Sequence, residues 1–442
     1  MVNLHIGFDD TDSPRGGCTT HIAALLVEKL AKLGVRFIDY PNLIRLNPNV
    51  PWKTRGNGAL CLRIECNRDL IRTIFEMVAS VVEENSDMGF VDTDPGIVFF
   101  QGKKIPLQLR QFAERTIQNI VRIDEALNLI KSFNCEALGF RTGYGIVGAL
   151  AAVGETLEGD HTYEVITYRK PENWGTKRKL DLKSVEEMDQ KMKGRTYNNV
   201  DEETGRILIT PRGPDPIFYG IRGETGKDVL LAQGMIRSSE SVERYVLYRT
   251  NQGTDAHLRR MGSISDIRPF NSVIVNGVVS SMPKLVPKRH RIFTVKDSTG
   301  CVECAAYEPT GTLRKVARQL MIGDEIEVCG GVRSSGNNPL TINLEKIRLR
   351  KLSSRLIMQN PRCLKCDKRM KSAGKGKGFK CPSCSFRSLD MQKKTIRENR
   401  DLKKGLFVTS PRSQRHLTKP LCRYGKEKSG KPVNMLDHWH RP

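Results

Sequence analysis

Four cysteines near the C-terminus constrain the fold of this chain more than any other feature. Cys363-Leu-Lys-Cys366 is followed, after fourteen residues, by Cys381-Pro-Ser-Cys384. Two Cys-x-x-Cys knuckles at that separation close a tetrahedral four-thiolate zinc site of the zinc-ribbon kind. All four ligand positions are protein sulfur, so the expected zinc is structural. The loop between the knuckles, DKRMKSAGKGKGFK, is too polar to pack without the metal. Cys301-Val-Glu-Cys304 repeats the spacing but has no partner pair, and reads as two core thiols in a strand. Cys422, His416, His438 and His440 are irregularly spaced and read as a mobile tail, not a second metal site.

The segment before the knuckles, 271–352, has the pattern of a small barrel. SVIVNGVVS, RIFTVKD, VECAAY, EIEVCGGV and LTINLEKIRL read as five strands, with the helix GTLRKVARQL after the third. That is the order of an OB-fold, a barrel that often holds single-stranded nucleic acid, although the fold alone does not establish that use. Charge supports a polyanionic partner. Residues 351–442 carry 25 lysines and arginines against 6 acidic residues, so most of the formal +24 sits at this end. Such a field attracts nucleic acid. No apolar run approaches the ~18 residues a membrane span needs. The first apolar run is broken at once by carboxylates, unlike a signal peptide. The expectation is a cytoplasmic, reducing location, in which the 12 cysteines are thiols or ligands.

The first 195 residues alternate strand and helix patterns, from the strand LHIGF and the helix HIAALLVEKLAKLG onward, and read as an α/β or α+β unit. Residues 196–270 read as a small sheet with one helix. Within GFDDTDSPRGGCTT, Asp9, Asp10 and Asp12 crowd the end of the first strand. Oxygen ligands there suit magnesium, and Arg15, Gly16 and Gly17 followed by Thr19 and Thr20 at a helix start suit a phosphate. The competing reading is an ordinary capped turn, and residue types alone leave both open. No GxxxxGK[ST] occurs, so a standard P-loop is excluded. Gly143-Tyr-Gly145-Ile-Val-Gly148 spells GxGxxG, which suits either backbone approach to a phosphate or close helix packing.

GFDDTDSPRGGCTT, GYGIVGALAAVG, TPRGPDPIFYGIRGE and the OB-plus-ribbon end occur together and in order. In these segments the chain resembles the archaeal tRNA-isoleucine 2-agmatinylcytidine synthetases from end to end. The resemblance implies a multidomain α+β protein: an atypical kinase-like α/β catalytic domain (1–195), a ferredoxin-like domain (196–270), an OB-fold β-barrel (271–352), and a zinc ribbon with a basic C-terminal tail (353–442). It implies an ATP-dependent ligase that phosphorylates the carbon-2 carbonyl of the wobble cytidine in the CAU anticodon of an isoleucine tRNA. Agmatine then replaces the phosphate, and the nucleotide is consumed to AMP. Asp9, Asp10 and Asp12 would hold magnesium and the ATP phosphates. Thr19 matches the family's autophosphorylated threonine. Arg15, Gly16, Gly17, Thr20, Gly143 and Gly145 would complete the phosphate site. Asp215 would take the agmatine guanidinium, with Tyr219, Gly220 and Arg222 beside it and Asn198, Asn199 and Asp201 as weaker candidates. The expected cofactors are ATP, Mg2+ and Zn2+, and the expected partners are tRNA and agmatine, with no membrane. The alternative is a non-catalytic single-strand-binding protein built on the OB-fold and ribbon.

Overall fold

Strand β1 (Val2–Asp9) is buried on both faces because its residues are apolar on one side and small or satisfied on the other. Leu4, Ile6 and Phe8 pack under helix α1 (Thr19–Lys32) and the helix Ile71–Asn85. On the opposite face Gly7 lies against the helix Gly145–Gly154, and any β-carbon at Gly7 would overlap the Ala149 carbonyl. That helix is made almost wholly of Gly, Ala, Val and Leu, which lets it lie flat on the sheet. The result is a sheet covered on both sides, with a second core formed by 107–118, 123–132 and 145–154. The computed structural model describes residues 1–334, 339–431 and 434–442.

The sheet continues beyond this unit. β1 pairs antiparallel with Gly58–Cys66 and Gly96–Gln101. At the far edge a short parallel pairing, Asn42 with Arg249 and Leu43 with Thr250, joins Asn42–Arg45 to Val242–Thr250. Thr162–Arg169 then lies between Val242–Thr250 and Ile217–Gly223. A strand from the first 195 residues is therefore central to the sheet formed by residues of the second segment.

The barrel has the predicted order. Ser272–Val279 closes it by pairing with both Glu325–Arg333 and His290–Lys296, while Cys301–Ala306 runs parallel to Thr341–Lys351. The helix between the third and fourth strands is short, Thr312–Ala317. Cys304 is buried in the barrel and Cys301 is exposed, so one thiol of that pair belongs to the core and the other does not.

The mobile-tail expectation fails. After the ribbon, Gly405–Val408 adds a strand to the barrel, and His440–Arg441 adds one to the large sheet at Tyr245–Val246. Between them Arg423 is fully buried, with its guanidinium on Asp160, Glu224 and the Gly253 carbonyl. Trp439 sits in the main core. Many of the tail's basic residues bind carboxylates of the body, which its composition conceals. His416, His438, His440 and Cys422 form no metal cluster; among the described residues the four ribbon cysteines are the one such group. Among the described residues no helix is long and apolar enough to cross a membrane.

Candidate active site and zinc cluster

The two cysteine knuckles share one backbone pattern. The Cys363 N–H donates to Lys368 O and the Asp367 N–H to Cys363 O; Cys381 and Ser385 repeat this with Phe386 and Cys381. Asp367 and Ser385 adopt φ of 55° and 59°, which turns each knuckle back on itself. The four Sγ atoms lie within 4.8 Å of one another, with separations of 3.4 and 3.5 Å. Disulfides lie near 2.05 Å. A tetrahedron with Zn–S of about 2.3 Å has edges close to the observed spacing. Beneath the cluster Met370 and Phe379 form a very small core, too little to fold alone.

The acidic site lies where β1 ends. A cavity of about 290 Å³ opens there, lined by Asp9, Asp10, Asp12, Thr19, Thr20, Gly145 and Asp215 among the sequence-predicted residues. Asp10 adopts φ 59°, an uncommon left-handed conformation that aspartate tolerates better than most residues. Burial, then Asp12 and Asp94, pushes the Asp10 carboxyl up to about 7. Burial and the neighbouring Asp10 raise Asp9 well above the carboxylate range. Asp12 is different, because Arg55 Nε reaches its Oδ2 at 2.6 Å and Thr54 Oγ1 its Oδ1 at 2.8 Å. The three aspartates are therefore not gathered on one point: Asp9 and Asp10 line the cavity with no ion-pair partner among the described residues, while Asp12 is held aside. A pair of buried carboxylates without a cation fits a hard divalent ion.

Thr19 opens α1. Its Oγ1 accepts a bond from Thr11 Oγ1 at 3.0 Å, which leaves its own hydroxyl proton free. The cap, Cys18, makes no side-chain capping bond, and no acidic residue lies in the first turn, so the helix start favours an anion. Arg15 is turned elsewhere. Its guanidinium clasps Asp87 at 2.9 and 2.5 Å, and with Gly16 and Gly17 it lines a neighbouring depression. Gly143 is outside the cavity lining and donates its N–H to Asp94 Oδ1 at 3.2 Å. At Gly145 a β-carbon would overlap the Asp94 carbonyl, and at Gly148 it would overlap the Asp9 carboxylate. These glycines serve close packing, and that packing also places Asp9.

Of the four residues expected around agmatine, Asp215 alone lines the cavity. Its carboxylate is already held by two arginines, Arg55 Nη1 at 2.9 Å and Arg178 Nη2 at 3.3 Å. Tyr219 is in the core, Gly220 packs on Glu164, and Arg222 faces a separate pocket beside Glu164. Asn199 and Asp201 make internal bonds, to Asp189 and Arg412 respectively. Asn198 bonds Gln414.

Sequence reading passed over the residue that organises the site. Arg55 joins Asp12, Asp215 and the Gly17 carbonyl, tying three distant segments together. Its loop, Lys53-Thr54-Arg55-Gly56-Asn57-Gly58, is a basic glycine-rich stretch that could have drawn notice. Arg45 and Lys53 also line the cavity and bring positive charge to it. His416, from the C-terminal segment, lines it too.

Family profiles match the chain in four places: a TiaS TCKD domain at 5–74, a TiaS FLD domain at 143–257, an OB-fold nucleic acid binding domain at 273–350, and a TiaS C-terminal zinc ribbon domain at 360–402. The isoleucine-tRNA 2-agmatinylcytidine synthetase TiaS of Thermococcus sibiricus is 43% identical over 424 residues, 95% of this chain and 96% of that one. That of Methanosarcina acetivorans is 40% identical over 95% and 97%. The crystal structure of apo TiaS superposes with a TM-score of 0.87 at 36% identity, covering 95% of this chain and 97% of that one. A complex of TiaS with its isoleucine tRNA, AMPCPP and agmatine superposes at 0.84 and 35% identity, covering 96% and 98%. With four domain profiles in order and relatives matched along nearly their whole length, the chain belongs to the isoleucine-tRNA 2-agmatinylcytidine synthetase (TiaS) family.

Proposed function

We propose that this chain activates the carbon-2 carbonyl of the wobble cytidine of a CAU-anticodon isoleucine tRNA with ATP and replaces it with agmatine. The observation that carries this reading is the cavity itself. Two uncompensated aspartates, a helix-start threonine and the cations Arg45 and Lys53 face one space, in a chain of this family. A carbonyl oxygen is a poor leaving group and phosphate a good one, so phosphorylation must precede displacement by the amine. Asp9 and Asp10 would hold Mg2+, which supplies charge neutralisation for the nucleotide phosphates. Arg45 and Lys53 would bind the same phosphates. The Thr19 hydroxyl would accept a phosphoryl group, and the α1 start would steady it once charged.

Asp215 accepts from Arg55, Arg178 and the Ile217 N–H, leaving roughly one of its four lone-pair directions for agmatine. The ribbon and barrel hold the RNA, and the chain acts in the cytoplasm, where its tRNA is. We place the division between the two N-terminal units between residues 154 and 162, because the helix Gly145–Gly154 packs on β1 whereas Thr162–Arg169 pairs with strands of the second. The test is incubation of the zinc-loaded protein with isoleucine tRNA transcript, ATP, Mg2+ and labelled agmatine. Label in the transcript, and none when the wobble cytidine is replaced by uridine, is the expected result. No label with folded protein overturns the reading and favours a binding protein without catalysis.

A further inference from the structure

His416 lies far from the aspartates in sequence, yet the C-terminal segment carries it into the same cavity. Its position is fixed by backbone pairing, since Gly253 N–H donates to His416 O and Asp255 N–H to Leu417 O, both at 2.8 Å. Its ring is fixed by a relay. The Gln252 side-chain amide donates through Nε2 to Glu164 Oε2 and accepts through Oε1 from His416 Nδ1 at 2.8 Å. A carboxylate cannot donate, so the amide has one workable orientation, and Nδ1 must carry the imidazole proton. Gln252 is fully buried and Glu164 nearly so, so neither end of the relay is free to turn. Nε2 is left with a bare lone pair, and among the described residues it has no hydrogen-bond partner.

Resting on the proposed reaction, we infer that His416 is a catalytic residue: its Nε2 accepts the proton that agmatine's primary amine must lose as it attacks carbon 2. Agmatine's amine, an ammonium in solution, gives up one proton to solvent as it enters; its nitrogen then gives its lone pair to carbon 2, the carbon–oxygen bond breaks, and phosphate leaves with that electron pair. One N–H proton passes to Nε2 and from there to the departing phosphate or solvent. The surroundings favour an empty Nε2. Burial, then the guanidiniums of Arg45 and Arg222, hold the imidazole well below its usual range, so Nε2 is unprotonated at rest and the proton it takes is passed on to the departing phosphate without a standing imidazolium. Glu164, which faces the ring only through Gln252, fixes the tautomer without charging the ring. This arrangement serves amine transfer and is not needed for phosphoryl transfer from ATP.

The experiment separates those two halves. In His416→Gln and His416→Ala, agmatine incorporation should fall by about 10²–10⁴-fold, the range for loss of a general base. ATP-dependent phosphorylation of protein or RNA without agmatine should stay within threefold of the parent, and added imidazole should partly restore His416→Ala. Incorporation within threefold of the parent, or equal loss of both halves in folded protein, overturns the inference. Should the variants not fold, ethoxyformylation of the unaltered chain gives the same decision. Modification mapped to His416 should abolish transfer, and bound agmatine should slow it; transfer retained at full modification overturns the role. If the parent itself incorporates no agmatine, the proposed function fails instead.

Discussion

The zinc cluster and the aspartate cavity both gather metal-binding side chains, but the first is closed and the second is open. In the ribbon, four sulfurs face one point, and two matching backbone turns hold them there. At the end of β1, only Asp9 and Asp10 stay uncompensated, while Arg55 draws Asp12 towards Asp215. A structural metal saturates its site with protein ligands. A site that must handle phosphates keeps charge unneutralised and positions empty, and the protein tolerates the repulsion.

The closed site should fail most completely. In Cys363→Ser, zinc content should fall well below stoichiometric and the ribbon should unfold, because metal binding there supplies on the order of 10 kcal/mol of folding free energy. ATP binding by the body should persist. Elemental analysis with a nucleotide-binding assay checks both, and retained zinc breaks the comparison.

The open site should lose chemistry but not structure. Asp10→Ala should lower agmatine incorporation by about 10²–10³-fold, the scale of removing one electrostatic stabiliser of a reacting centre. tRNA binding should hold. Without divalent cations, Asp10 stays protonated in the fold up to about pH 7, whereas unfolded aspartate ionises near 3.8. The unfolded state therefore has fewer protons between these values, and stability falls as pH rises from about 4 to about 7. Urea midpoints in chelator should show that fall. Asp10→Asn should make it shallower, with Asp9 supplying the remainder, and added Mg2+ should offset it; an unchanged slope in the variant contradicts the assignment.

Arg55→Gln sharpens the point between the two extremes. It leaves Asp215 with Arg178 as its remaining arginine and releases Asp12, so about 1–3 kcal/mol of stability should be lost by denaturant titration, the scale of hydrogen bonds to charged groups. Arg15→Ala should do least. Its pair with Asp87 is exposed, so the melting temperature should barely move, and incorporation should stay within a few-fold. A large loss there would return Arg15 to the phosphate site.

The legibility of the two sites in the sequence follows the same division. Cys-x-x-Cys twice encodes ligand, turn and spacing within about twenty residues, so local sequence contains the whole cluster. The barrel was equally readable because its strands alternate and follow in order. The cavity is assembled from segments near residues 10, 19, 55, 145, 215 and 416, and no local pattern records that Arg55 meets both Asp12 and Asp215. GxGxxG was ambiguous for a physical reason: a glycine that lets a helix press on a strand looks the same as one that admits a phosphate. The tail misled through composition. Lysine and arginine signal solvent or RNA until the chain brings them onto part-buried carboxylates of the body, as Arg423 is brought to Asp160 and Glu224. That Thr162–Arg169 joins the sheet of the following segment was not legible, because pairing partners lie beyond any local window.

The account depends on the cytidine oxygen leaving as phosphate, and an oxygen label tests this directly. Isoleucine tRNA carrying ¹⁸O at carbon 2 of the wobble cytidine should be incubated with ATP, Mg2+ and agmatine until the nucleoside is converted. Mass spectrometry of the released products should find the label in inorganic phosphate, in proportion to agmatine incorporated. Label recovered in water or AMP, or conversion that leaves it on the nucleoside, would contradict phosphoryl activation at this cavity.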